Sequence, residues 1–163
     1  MAKRLAPELQ LPLLSSDDIK EVLYDTLGAP DRASSRRLGA AAYAVLYRIA
    51  ARVLSYGDGA VVEGAFMRGL AEPDLLRLCA GRAAFLIHCE APRHVIESRL
   101  RSGRPGRHPQ HYDAAALAEI LAALDEGRYG PLDLGISTMR LSTADGYEPR
   151  LVAVSAFITA QPG

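Results

Sequence analysis

The sequence of 163 residues has no tryptophan and two cysteines, and only two of its 19 basic residues, Lys3 and Lys20, are lysines. Each shortage excludes something. Cys79 and Cys89 each sit in an apolar run, without metal-ligand spacing, so both read as buried thiols. Neither lysine follows a glycine, so the GxxxxGK[ST] loop that cradles phosphates on backbone N–H groups occurs nowhere in the sequence. No apolar run approaches the roughly 18 residues of a membrane span, and the N-terminus lacks the hydrophobic core of a signal peptide. An excess of one charge is missing too, since 19 basic residues meet 19 acidic ones. Aromatic residues are few and none is interleaved with the arginines, which argues against nucleic acid as a partner. The expectation is a cytoplasmic protein with no nucleic-acid or membrane partner, its oligomeric state left open.

What is present suits one domain over residues 1–163, with nearly half the residues hydrophobic. Residues 2–9 read as a helix without a start signal, so the chain as written begins inside a helix. Residues 11–14 read as a short strand. Ser15 and Asp18 have capping-box spacing for a helix whose apolar face is Ile19, Val22, Leu23 and Leu27. A longer helix is predicted over 38–56, where Ala42, Val45, Leu46, Ile49, Ala50, Val53 and Leu54 recur at one-face spacing. Residues 60–64 form a strand ending in a carboxylate, Glu63. A helix opening at Glu72 turns Leu75, Leu76 and Cys79 inward, and a strand follows over 84–89. Asp113 caps a further helix, a strand is predicted around 138–141, and Pro149 starts a terminal helix. Short apolar strands separated by helices indicate a parallel sheet covered on both faces.

The richest stretch is 83–111. Its strand ends at Cys89-Glu90, Pro92 opens a helix with Val95, Ile96 and Leu100 on one face, and Arg99, Arg101, Arg104 and Arg107 follow. Planar, permanently charged guanidinium groups suit phosphate oxygens, though a solvated basic helix end has the same composition. Ligands of parallel α/β sheets gather at the carboxyl ends of strands. Three polar clusters fall there: residues 15–18, Glu63, and Glu90 with the arginines beyond it. A phosphotransferase needs one carboxylate for the acceptor proton, another near Mg²⁺, and cations on the phosphates. His88, inside an apolar strand, reads as a hydrogen-bonded core residue. His108 and His111 flank Pro109 without a third ligand, so no metal site is expected from them.

Taken in order, LPLLSSDDIKEVLYDTLG, AVVEGAF, IHCEAPRHVIESRLRS with GRHPQH, and STADGYEP resemble the small P-loop kinases grouped as zeta-toxin-like and AAA-type ATP-binding proteins. That family is itself similar to gluconate, shikimate and chloramphenicol kinases. The resemblance implies a three-layer α/β fold of P-loop NTPase type with strand order 2-3-1-4-5, here lacking its first, central strand. It implies ATP and Mg²⁺ as cofactors and a small hydroxylated molecule as phosphoryl acceptor. Asp17, Glu63 and Arg107 would be catalytic, with Asp17 facing the acceptor hydroxyl and Glu63 near Mg²⁺ or the acceptor. Arg99, Arg104 and Arg107 would lie over the ATP phosphates, and Arg36 and Arg37 would join Asp17 in holding an anionic acceptor. The departure is the glycine-rich loop with its lysine, which members carry after their first strand. Either the chain starts at an internal codon or it is a truncated relative. As written it is expected to be inactive, and a non-catalytic ligand-binding or interaction domain is the alternative.

Overall fold

In the computed structural model, residues 1–102, 108 and 113–160 are described, the side chains of 113–115 excepted. Leu13–Ser15 (β1) and Val61–Glu63 (β2) pair in parallel, with Leu13 opposite Val61 and Ser15 opposite Glu63. Phe85–Glu90 (β3) and Ser137–Ser142 (β4) form a second parallel pair, Phe85 facing Ser137 and Glu90 facing Ser142. Among the described residues no strand bridges β2 to β3, so the strands stand as two sheets of two.

The helices are α1 (Ala2–Glu8), α2 (Ser16–Leu27), α3 (Arg32–Tyr56), α4 (Glu72–Cys79), α5 (Arg93–Ser102), α6 (Asp113–Asp125) and α7 (Leu151–Thr159). Their order relative to the strands explains the layering. Leu14, Val62 and Leu86 from β1, β2 and β3 pack with Ala50 of α3 and with Leu75 and Leu78 of α4 in one apolar cluster. Ile87, Met139 and Leu141 pack with Leu5 of α1 and Val154 of α7 in another. Consecutive β3 residues, Leu86 and Ile87, thus feed different cores, as the alternation of a strand covered on both faces requires. The α/β class with parallel strands is the one expected.

Several local expectations are corrected. In α2 the buried apolar side chain is Tyr24, whose hydroxyl meets Ser35 Oγ at 2.7 Å. Val22 and Leu27 are instead 63% and 66% exposed. The helix is turned so that an aromatic ring with a satisfied hydroxyl faces α3. Helix α3 begins six residues before the predicted start, because Asp31 caps it by accepting the Ser34 N–H at 2.7 Å. In α4 the inward residues are Leu75 and Leu78, while Leu76 is exposed and Cys79 partly buried. Cys89, next to last in β3, is exposed rather than buried. By length and composition α3 could cross a membrane; here it packs on α2, α4 and β1, with Ala42, Leu46 and Ala50 fully covered.

Candidate functional site

The site is organised by the chain reversal at the end of β1. Ser15 is the last residue of the strand and the N-cap of α2, so its hydroxyl sits where strand carboxyl end and helix start coincide. Its Oγ accepts the Asp18 N–H at 3.4 Å and donates to Glu63 Oε2 at 2.7 Å. The second bond follows from register, since Ser15 and Glu63 are partners across the parallel pair. The capping box is only half formed: Asp18 turns its carboxylate to Lys3 of α1, at 3.4 Å between exposed groups.

Asp17, in the first turn of α2, is partly buried, and its charge reaches the Tyr43 hydroxyl of α3. Burial is the main force pushing the Tyr43 phenol up to about 12; Asp17, Tyr47 and Tyr129 push the same way, and a hydrogen bond from Ser16 opposes them. Tyr47, one turn on, is also pushed up to about 12, by burial first and then by the charges of Asp74 and Glu72. Gly64, directly after β2, is required by this packing. A Cβ there would lie 2.9 Å from Ser16 Oγ and 3.1 Å from the Tyr43 ring, closer than side chains tolerate. Of these residues the sequence singles out Asp17 and Glu63 as candidates; Ser15 reads only as a helix cap, Gly64 only as the close of a strand, and Tyr43 is not singled out. The only available signal was the VVEGAF run, in which a glycine follows a strand-end carboxylate.

The arginines are distributed differently. Arg36 and Arg37 lie in the second turn of α3: Arg36 is 3.8 Å from Glu119 of α6, and Arg37 donates to Ser34 Oγ at 3.0 Å. Arg32 makes the closer bridge to Glu119, at 3.0 Å. Arg99 is anchored to the loop after β4, donating to Thr143 Oγ1 at 3.2 Å, to Ala144 O at 3.3 Å and to the Thr143 carbonyl. That loop is tied in turn to β3, where the Thr143 N–H donates to Glu90 O at 2.7 Å. Glu90 itself accepts from Arg140 at 2.6 Å. Arg104 and Arg107, and with them His111, lie outside the described residues. His88 is largely buried and 3.9 Å from Glu90, beyond hydrogen-bond reach, and desolvation lowers its pKa. His108 meets Asp25 at 3.0 Å and stacks on Tyr24. Among the described residues no group of three or more His, Cys, Asp or Glu side chains is placed to hold a metal ion.

The carboxyl ends of the two sheets lie within electrostatic reach of each other. Near the end of β3, partial desolvation by the surrounding chain raises the Cys89 thiol pKa although the residue reaches solvent, with the Met1 ammonium lowering it and Glu63 of β2 raising it. This arrangement can orient a carboxylate toward a metal or hydroxyl ligand and place a second carboxylate, Asp17, two residues past the anchoring hydroxyl of Ser15.

Comparison with known proteins agrees with this picture. A family model described as an AAA domain matches residues 1–126. A crystal structure of a candidate kinase from Chloroflexus aurantiacus j-10-fl superposes with a TM-score of 0.82 at 33% sequence identity, covering 99% of this chain and 90% of that one. No curated protein gives a significant sequence match.

Proposed function

The chain belongs to the AAA domain family and has a kinase-like P-loop fold, and from that premise we propose that it is an ATP-dependent phosphotransferase acting on a small hydroxylated acceptor. The observation that carries the reading is the 2.7 Å bond from Ser15 to Glu63, which fixes a carboxylate beside the Asp17 turn at two strand ends. In this reading Asp17 accepts the proton of the acceptor hydroxyl. Glu63 offers hard oxygen donors of the kind Mg²⁺ takes, and Mg²⁺ when bound neutralises charge on the transferred phosphoryl group. Arg36 and Arg37 hold an anionic group of the acceptor, and the protein works in the cytoplasm.

The residues fit the acceptor half of such a site better than the phosphate half. The sequence has no lysine in a glycine-rich loop. Arg99 is committed to Thr143 and Ala144. Arg104 and Arg107 are assigned to the phosphates by resemblance alone. Stabilisation in phosphoryl transfer comes almost wholly from positioned phosphate-binding groups. The chain as written is therefore expected to bind ATP at about 100 µM or weaker and to transfer no phosphate. The same lack favours a second reading, a non-catalytic ligand-binding domain of the family. The test is phosphoryl transfer by a form of the protein carrying the glycine-rich lysine loop upstream. Asp17→Asn should lower turnover about 100-fold while leaving ATP affinity unchanged. Equal turnover in the Asn variant would remove Asp17 from the role of base, and no turnover in either would favour the second reading.

A further inference from the structure

Helix α3 leaves much of its apolar surface facing out of the fold. Of its most apolar 18-residue stretch only 17% is buried. Val45 and Ile49 continue the stripe of the buried Ala42 and Leu46 but are each 39% exposed, and Tyr56 is 85% exposed. With Arg52 they recur every three or four residues along one flank, over about 16 Å of helix. Ala41, one turn before Val45, and Ala44 are exposed as well, so a second helix can come close there. The charge on this helix has one sign. Between Asp31, committed to its cap, and Asp58, past its end, α3 carries five arginines and no carboxylate. Arg32 and Arg36 are met by Glu119, and Arg37 by Ser34. Arg48 and Arg52, one turn apart and both exposed, have no side-chain partner among the described residues.

We propose that this flank docks an amphipathic helix of another protein, its apolar face on Val45, Ile49 and Tyr56 and its acidic face toward Arg48 and Arg52. Charge complementarity names the occupant. Two free guanidinium groups one turn apart match carboxylates at the same spacing on a facing helix, and each can be held bidentately. A second copy of this chain would bring the same two arginines against each other with no carboxylate between them. A bilayer gains little here, since the aliphatic side chains of the flank are more than half covered and Tyr56 is its one fully projecting ring. Tyr43 precedes Val45 by two residues and so lies about 200° away around the helix, on the side that meets Ser16 and the field of Asp17. A docked helix therefore leaves the candidate site open, and the assignment stands apart from the phosphotransfer reading.

Fluorescence anisotropy on this chain tests the assignment with three labelled peptides of about 18 residues. One carries leucine on one helical face and glutamate on the other, the second has lysine in place of glutamate, and the third scrambles the first so that no apolar face forms. The glutamate peptide should bind with a Kd of about 10 µM, and the other two about tenfold more weakly or not at all. Ile49→Ser should weaken it about threefold to tenfold. Arg48→Glu combined with Arg52→Glu should transfer the preference to the lysine peptide. Both positions are exposed, so this variant reads out the flank even where Ile49→Ser fails to fold. Equal binding of the glutamate and lysine peptides, no binding of any peptide, or an unchanged preference in the double variant would overturn the assignment. Attachment to vesicles of about one-quarter phosphatidylserine, lost in the double variant and with no peptide bound, would give the flank to a bilayer instead. A dimer of this chain that Ile49→Ser dissolves would give it to a second copy, and either result replaces the proposal.

Discussion

Ser15 ends β1, and its one hydroxyl both caps α2 and holds Glu63. Ser15→Ala removes the cap and the carboxylate's partner together and is expected to cost about 1–2 kcal/mol of stability, measured by urea unfolding. Ser15→Thr should recover most of it, because the hydroxyl is retained; no recovery would mean that packing rather than hydrogen bonding dominates. The tyrosines of α3 give a second residue-level prediction. Tyr43 and Tyr47 are held near 12 against an ordinary value of 10.0. Between those values the unfolded chain has released phenol protons that the folded chain keeps. Stability therefore falls as pH rises through about 10 to 12, and these two groups leave it unaffected below that window. Phenolate absorbance should show a late-titrating fraction that shrinks in Tyr43→Phe; titration of every tyrosine near 10 would contradict the buried site. Asp17 and Glu63 were legible in the sequence because carboxylates at strand ends are conspicuous. The partners that position them were not, since a serine before a helix reads only as a cap, and Tyr43 reads only as one more helix residue.

At the scale of elements, hydrophobic periodicity located the helices and fixed their facing poorly. The α2 stripe of Val22 and Leu27 was regular enough to suggest burial, yet Tyr24 occupies the contact with α3, its hydroxyl satisfied by Ser35. The start of α3 was missed because Arg32 to Arg37 carry no apolar period, although Asp31 with Ser34 three residues on is a cap signal. Helix α5 has no fully buried residue; it packs on α6, with Val95, Ile96 and Leu100 partly covered, and is tied down by two arginines. Arg93 links α5 to Asp125 of α6, and Arg99 links it to the loop after β4. Arg99→Ala is expected to destabilise the protein by about 1.5–3 kcal/mol and to speed amide exchange at residues 142–144. Unchanged exchange together with lost nucleotide binding would assign Arg99 to phosphates, as the family resemblance implies.

At the scale of the whole molecule, parallel pairing of β1 with β2 and β3 with β4 was legible from the order of short apolar strands and helices. The two pairs share one apolar cluster through Leu14, Val62 and Leu86, yet among the described residues no strand bridges them. Sheet edges of this kind recruit other strands, so the chain expressed alone is expected to aggregate at concentrations where a form with a strand between β2 and β3 stays monomeric. A sharp thermal transition for a soluble monomer of the short chain would refute this. The central claim is that these 163 residues carry the acceptor half of a phosphotransferase without its phosphate cradle. It is tested most directly by measuring ATP turnover of the purified chain beside the same chain extended upstream by an apolar strand and a glycine-rich lysine loop. The account predicts turnover above background in the extended form only. Equal, robust turnover in both would contradict it.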